Sequence, residues 1–229
     1  MRRFYNSPFA GLLVLLVLVS LGSATAAAQP CCGPINAEGQ RLAAFLDATG
    51  VDHLWLAGWH VDWQTGAADR SEPGGPEAKT HCSAFVAAVA ERLGAYILRP
   101  PEHRQNLLAN AQMGWLGRDG ARSGWQPVAG AAAAQQMANA GMLVVAAFQH
   151  PDPHRPGHIA VIRPSLKTAA EFAREGPQET QAGATNTLST TIAFGFRHHR
   201  GAWEPDGIGT IGYYAHAVDW NRMGKPGQR

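Results

Sequence analysis

The chain has 229 residues, a formal net charge of +2 and only 16% charged residues. That length builds one sizeable domain with a real core, and seven Trp exclude a disordered chain. With Arg2 and Arg3 set aside the formal charge is zero and no basic stripe remains, which excludes nucleic acid as the expected partner.

Residues 1–28 read as a secretory signal. Arg2 and Arg3 form a positive start, residues 12–21 are apolar apart from Ser20, and Ala26, Ala27 and Ala28 supply the small residues a signal peptidase needs. The apolar run is short for a bilayer. The expectation is cleavage after Ala28, a periplasmic or secreted location and no stable membrane span. Residues 29–229 then form a single domain, with 29–77 as an N-terminal extension. Three cysteines in an exported chain leave one over. Cys31 and Cys32 can pair together or with another chain; if together, Cys82 is a free thiol in an oxidising compartment.

Residues 35–49 predict an amphipathic helix on Leu42, Phe45 and Leu46, ended by Gly50. In residues 55–63 three Trp recur every four residues, but Gly58 argues against a helix. Those indoles read either as core aromatics or as the lip of a substrate groove, with Trp59, His60 and Trp63 as candidate binding residues. A Gly/Pro-rich loop over 65–79 leads to the best-punctuated helix, residues 80–94. Thr80 is its expected N-cap, Gly94 its left-handed terminator, and Phe85, Val86, Val89 and Leu93 its buried stripe. Cys82 falls in its first turn, where the helix dipole favours thiolate; the plainer reading is a small buried apolar residue.

Helices are expected over 102–116 and 131–140, with a glycine-rich loop over 117–130. The continuous apolar runs 142–148 and 159–162 predict buried strands. Further strands are expected near 179–182, 191–196 and 208–214. Helices first and then a mostly antiparallel sheet is an α+β order. His158 opens the strand Gly157-His158-Ile159-Ala160-Val161-Ile162. His150, His154 and His158 have the spacing of a helical metal face, but Pro151, Pro153 and Pro156 oppose a helix there, so no metal and no cofactor is expected.

Thr80-His81-Cys82-Ser83-Ala84-Phe85-Val86 resembles the cysteine motif of the NlpC/P60 and CHAP amidase and endopeptidase group. Ala140-Gly141-Met142-Leu143-Val144-Val145 resembles that group's strand entry, and Gly157-His158-Ile159-Ala160-Val161-Ile162 its histidine strand. The likeness covers about residues 78–183. It departs at His81, where the group usually has Asp or Asn; His81 joins the candidate binding residues. The resemblance implies a papain-like fold, with N-terminal helices on the sheet, and a cysteine hydrolase that cuts amide bonds in peptidoglycan peptides. It implies Cys82 as nucleophile, His158 as general base and acid, and an orienting residue on the next strand, for which Gln181 is the choice over Asn186 and Glu179. A carboxamide oxygen there accepts the imidazole N–H without adding charge. His81 in place of the acid also suits an inactive module that binds cell-wall glycan or peptide, or a protein partner. A regulatory protein controlling access fits either reading.

Overall fold

A computed structural model describes Met1 and residues 30–74, 79–204 and 209–223. The expected signal at 2–28 lies outside the described residues. The fold is α+β, with a six-stranded antiparallel sheet carrying helices on both faces. In chain order the elements are α1 (Ala37–Asp47), α2 (Cys82–Arg92), α3 (Leu108–Arg118), a short 3-10 turn, β1 (Trp125–Val128) and α4 (Ala131–Asn139). There follow β2 (Leu143–Phe148), β3 (His158–Ile162), α5 (Ala169–Glu175), β4 (Gln178–Gln181), β5 (Thr187–Thr191), α6 (Ile192–Gly195) and β6 (Gly212–His216). The strand order is β1-β6-β2-β3-β4-β5. Among the described residues, no helix is long and apolar enough to cross a membrane.

β2 and β3 are buried at every residue, so both their faces are covered. Val145, Ala147, Ile159 and Val161 face one core with α2, Leu42 and Leu46 of α1 and Leu116 of α3. Val144, Ala146, Ala160 and Ile162 face the other, with Ala134 and Ala138 of α4, Ile192 and Phe196. Residues 42–61 of the expected extension contribute Leu42, Leu46, Val51, Trp55 and Val61 to the first core.

α2 corrects the expectation of a single buried stripe. Every residue from Cys82 to Ala90 is buried. Its alanines let neighbours approach from all sides, as a helix apolar all round requires. Gly94 terminates it at φ +76°, as expected. Thr80 does not cap it. The N-cap position falls on His81, whose side chain gives no capping bond.

The other differences have local causes. α3 starts at Leu108, six residues later than expected. β1 lies in the expected loop; it is an edge strand pairing with β6 alone, which tolerates Pro127. The expected strand 191–196 is instead the end of β5 and then α6, because the Thr191 hydroxyl accepts the N–H of Phe194 and caps a helical turn. α5 was unexpected, although Thr168 and Glu171 form a full capping box. Cys31 and Cys32 are joined to each other, and Cys82 is free.

Trp55 meets Phe85 edge to face at 5.3 Å, and both are fully buried. Phe85→Ala should therefore cost about 3–5 kcal/mol in urea denaturation. A loss below about 1 kcal/mol would show that α2 does not depend on this contact.

Candidate active site

Cys82 is the first residue of α2, packed against β3. The backbone N–H groups of Ile159, Ser83 and Cys82 itself, and the Ser83 side chain, favour the thiolate. Burial nonetheless pushes the thiol above its ordinary range, and those donors offset only part of the effect. The expectation that the helix dipole favours thiolate is thus corrected: desolvation outweighs the amide dipoles, and the resting group is a thiol.

His158 opens β3, in register with Phe148 of β2. It is placed by close packing at Gly157, where a Cβ would strike the carbonyl of Phe148 and the Oδ1 of Asn110. Asn110 braces the loop before it, donating to the carbonyl of Arg155 and accepting the N–H of His150. The residues 149–157 form no helix, so His150, His154 and His158 do not share a helical face.

Gln181 ends β4, and its Oε1 lies 2.7 Å from His158 Nε2. The Gln181 amide donates to the carbonyl of Thr185 at 3.0 Å, which fixes its Oε1 toward the ring. Nε2 must then carry the proton, and Nδ1 presents a lone pair. The ring is edge-on to Phe196 and stacked on His199, at 4.7 and 5.5 Å between centroids. Burial, and after it the neighbouring His199, lower the His158 pKa to about 4, with Gln181 opposing and Arg197 adding. The imidazole is therefore neutral at neutral pH.

Thiol and imidazole approach the same end of β3 from its two sides. Cys82 belongs to the core that Ile159 and Val161 face, whereas the alternation of the strand turns His158 toward Phe196. The Ile159 N–H beside the sulfur belongs to the residue following His158. Among the described residues no hydrogen bond joins the two side chains. A cavity of about 240 Å³ opens beside Cys82. A second, of about 170 Å³, opens beside His158 and Gln181. They share Thr80, Pro156 and Gly157.

The rivals of Gln181 do other work. Asn186 donates to the carbonyls of Val51, Leu54 and Trp55 and accepts from Gly183 N–H. Glu179 shares the face of Gln181, but its buried carboxyl has no hydrogen-bond partner among the described residues, and burial holds it well above the usual carboxylate range.

The four candidate binding residues are placed differently. His81 lines the Cys82 cavity, yet its ring is buried between the Trp59 carbonyl, at 2.8 Å, and Gln105. Burial lowers its pKa, so it braces the start of α2 as a neutral ring. His60 pairs with Asp69 at 2.6 Å. Trp59 and Trp63 lie half-buried on the first core. Neither cavity beside Cys82 and His158 is lined by Trp59, His60 or Trp63. Arg197 and His199 line the His158 cavity and were missed by sequence reasoning. The one signal was Arg197-His198-His199-Arg200, a dense basic run in a chain poor in charge.

His158 should remain neutral with its proton on Nε2 down to about pH 4, read by 15N NMR of the imidazole. Asn186→Ala, which strands three carbonyls, should cost about 1–3 kcal/mol of stability without moving that titration. A midpoint near the ordinary histidine value would contradict the burial argument.

No family model matches the chain, and no curated protein matches it.

Proposed function

We propose that this chain is a secreted or periplasmic cysteine hydrolase of papain-like fold that cleaves amide bonds in peptidoglycan peptides. One observation carries the catalytic half: a buried imidazole whose tautomer is set by Gln181, with Nδ1 unprotonated, at the strand end that Cys82 contacts. The choice of cell-wall peptide rests on the likeness of residues 80–86, 140–145 and 157–162 to the NlpC/P60 and CHAP motifs.

The chemistry follows from those groups. The two groups lie on opposite sides of the strand end, so this reading requires the Cys82 side chain to rotate toward Nδ1 while Gln181 keeps the ring in place. Nδ1 of His158 then takes the thiol proton as sulfur attacks the carbonyl carbon. The amides at the start of α2 are the donors available to the oxyanion. The imidazolium returns its proton to the leaving amine, a thioester remains on Cys82, and water, deprotonated by the same ring, releases the acid. Both groups are neutral at rest, so proton transfer accompanies attack instead of preceding it. Gln181 holds the ring through both transfers.

A second reading is an inactive module that holds cell-wall glycan or peptide. Two observations favour it: the thiol and imidazole are not hydrogen-bonded at rest, and His81 is consumed in bracing α2.

Digestion of muropeptides by the mature chain, read by mass spectrometry, separates the two. Cys82→Ala should abolish turnover and keep binding, and His158→Ala should lower kcat by about 10²–10⁴-fold. Because the base must be unprotonated, activity should rise as pH passes upward through about 4. Dibromoacetone should cross-link Cys82 to His158. Turnover retained in Cys82→Ala sinks the catalytic assignment, and binding without turnover in the wild-type chain establishes the module.

A further inference from the structure

The cavity on the imidazole side contains a charge for which the proposed chemistry has no use. Its walls include His158, Gln181, Thr185, Arg197 and His199, and no Asp or Glu lines it. Arg197 is exposed, and among the described residues no carboxylate pairs with it. Its guanidinium is nevertheless placed. One nitrogen donates to the carbonyl of Phe194 at 2.6 Å, another makes a long contact of 3.4 Å with the Thr185 hydroxyl, and the group lies over the Phe194 ring. That leaves donors of a fixed fork open to a planar anion.

His199 does not share this role. It is stacked on His158, and burial lowers its pKa to about 4, so at neutral pH it is uncharged. Arg197 is therefore the permanent positive charge among the residues that line this cavity. In the proposed reaction His158 protonates the departing amine, so groups on its side of the scissile bond hold the leaving half of the substrate.

Resting on that reading, we infer that the cavity beside His158 is a carboxylate subsite, and that the preferred substrate is an amide whose leaving amine belongs to an amino acid with a free carboxylate, docked on Arg197. The charges around the ring support the assignment. With His199 neutral, Arg197 is the charged group that disfavours the imidazolium, whereas Gln181 favours it. A bound carboxylate offsets Arg197 and raises the basicity of His158 when substrate is present, which couples recognition to proton transfer.

The test uses the full mature chain carrying Cys82→Ala and two muropeptides, one ending in a free carboxylate and its twin ending in a carboxamide. Calorimetry should show the carboxylate form binding at least about tenfold more tightly, a 1.4 kcal/mol preference. It should also raise the NMR midpoint of His158 above about 4. Arg197→Gln should bring the two peptides to equal affinity, and Arg197→Lys should keep part of the preference. Equal binding of the twins, binding of neither, or a preference that survives Arg197→Gln overturns the subsite. The two ideas fail separately. A carboxylate preference with no cleavage by wild type leaves the subsite and removes the hydrolase. Equal cleavage of both twins leaves the hydrolase and removes the subsite.

Discussion

The burial of the first turn of α2 against the end of β3 is the constraint on which the site depends. A helix start normally leaves its N–H groups to solvent or to a cap. Here there is no side-chain cap, and Cys82 and Ser83 are both buried. The thiol is buried with that turn, in surroundings that oppose its ionisation. Fixing α2 so tightly needs neighbours on all sides. Small residues Ala84, Ala87, Ala88 and Ala90 permit the approach, and Phe85 anchors the helix on Trp55. Trp55 in turn lies flat against Gly66, where a Cβ would strike its ring.

A second constraint is how the loops around this helix are held. Side-chain amides do the joining, each donating to carbonyls far away in sequence. Gln112 reaches the carbonyls of Ser83 and Leu98, Asn110 that of Arg155, Asn139 those of Gly33 and Ser165, and Asn186 those of Val51 and Trp55. A carboxamide satisfies buried backbone without bringing a charge into the core. That suits a chain with so few charged residues, and it lets irregular segments approach the two cavities without secondary structure of their own.

The difference between what was legible and what was not has a physical basis. Cys82 and His158 lie at the starts of elements with strong apolar signals, whereas the choice of Gln181 comes from the resemblance alone; the structure places Gln181 against the His158 ring. The buried strands β2 and β3 were legible as continuous apolar runs. β1 and β5 were not, because each is an edge strand with exposed positions, and Thr187-Leu188-Ser189-Thr190-Thr191 has the composition of a loop. Arg197 and His199 follow a single helical turn, and their relation to His158 comes only from the fold bringing that turn under β3 and β4. The state of Cys82 was misread for a related reason. Dipole direction can be inferred from a helix start, but depth of burial cannot, and here depth dominates.

Under the proposed reaction, the two buried groups set how the site is kept inactive and how substrate activates it. Each unit of pKa displacement is worth about 1.4 kcal/mol between protonation states, and the thiol and the imidazole are displaced in the directions that oppose an ion pair. Moving the proton from sulfur to Nδ1 in the empty site would create two desolvated charges at once. The empty site therefore holds an unreactive thiol, which is an advantage where oxidants are present, since reactivity and oxidation both need the thiolate. In the proposed reaction the substrate changes both sides of that balance. Its carbonyl carbon takes up the negative charge as sulfur loses its proton, with the oxygen placed toward the amides of α2, and an anionic leaving half offsets Arg197 beside the imidazole. In that proposed reaction each cavity has its own part, because the Cys82 side receives the carbonyl that the sulfur attacks and the His158 side receives the leaving half. Under the proposed reaction, selectivity for the whole substrate would be a consequence of the same packing that holds α2 in place.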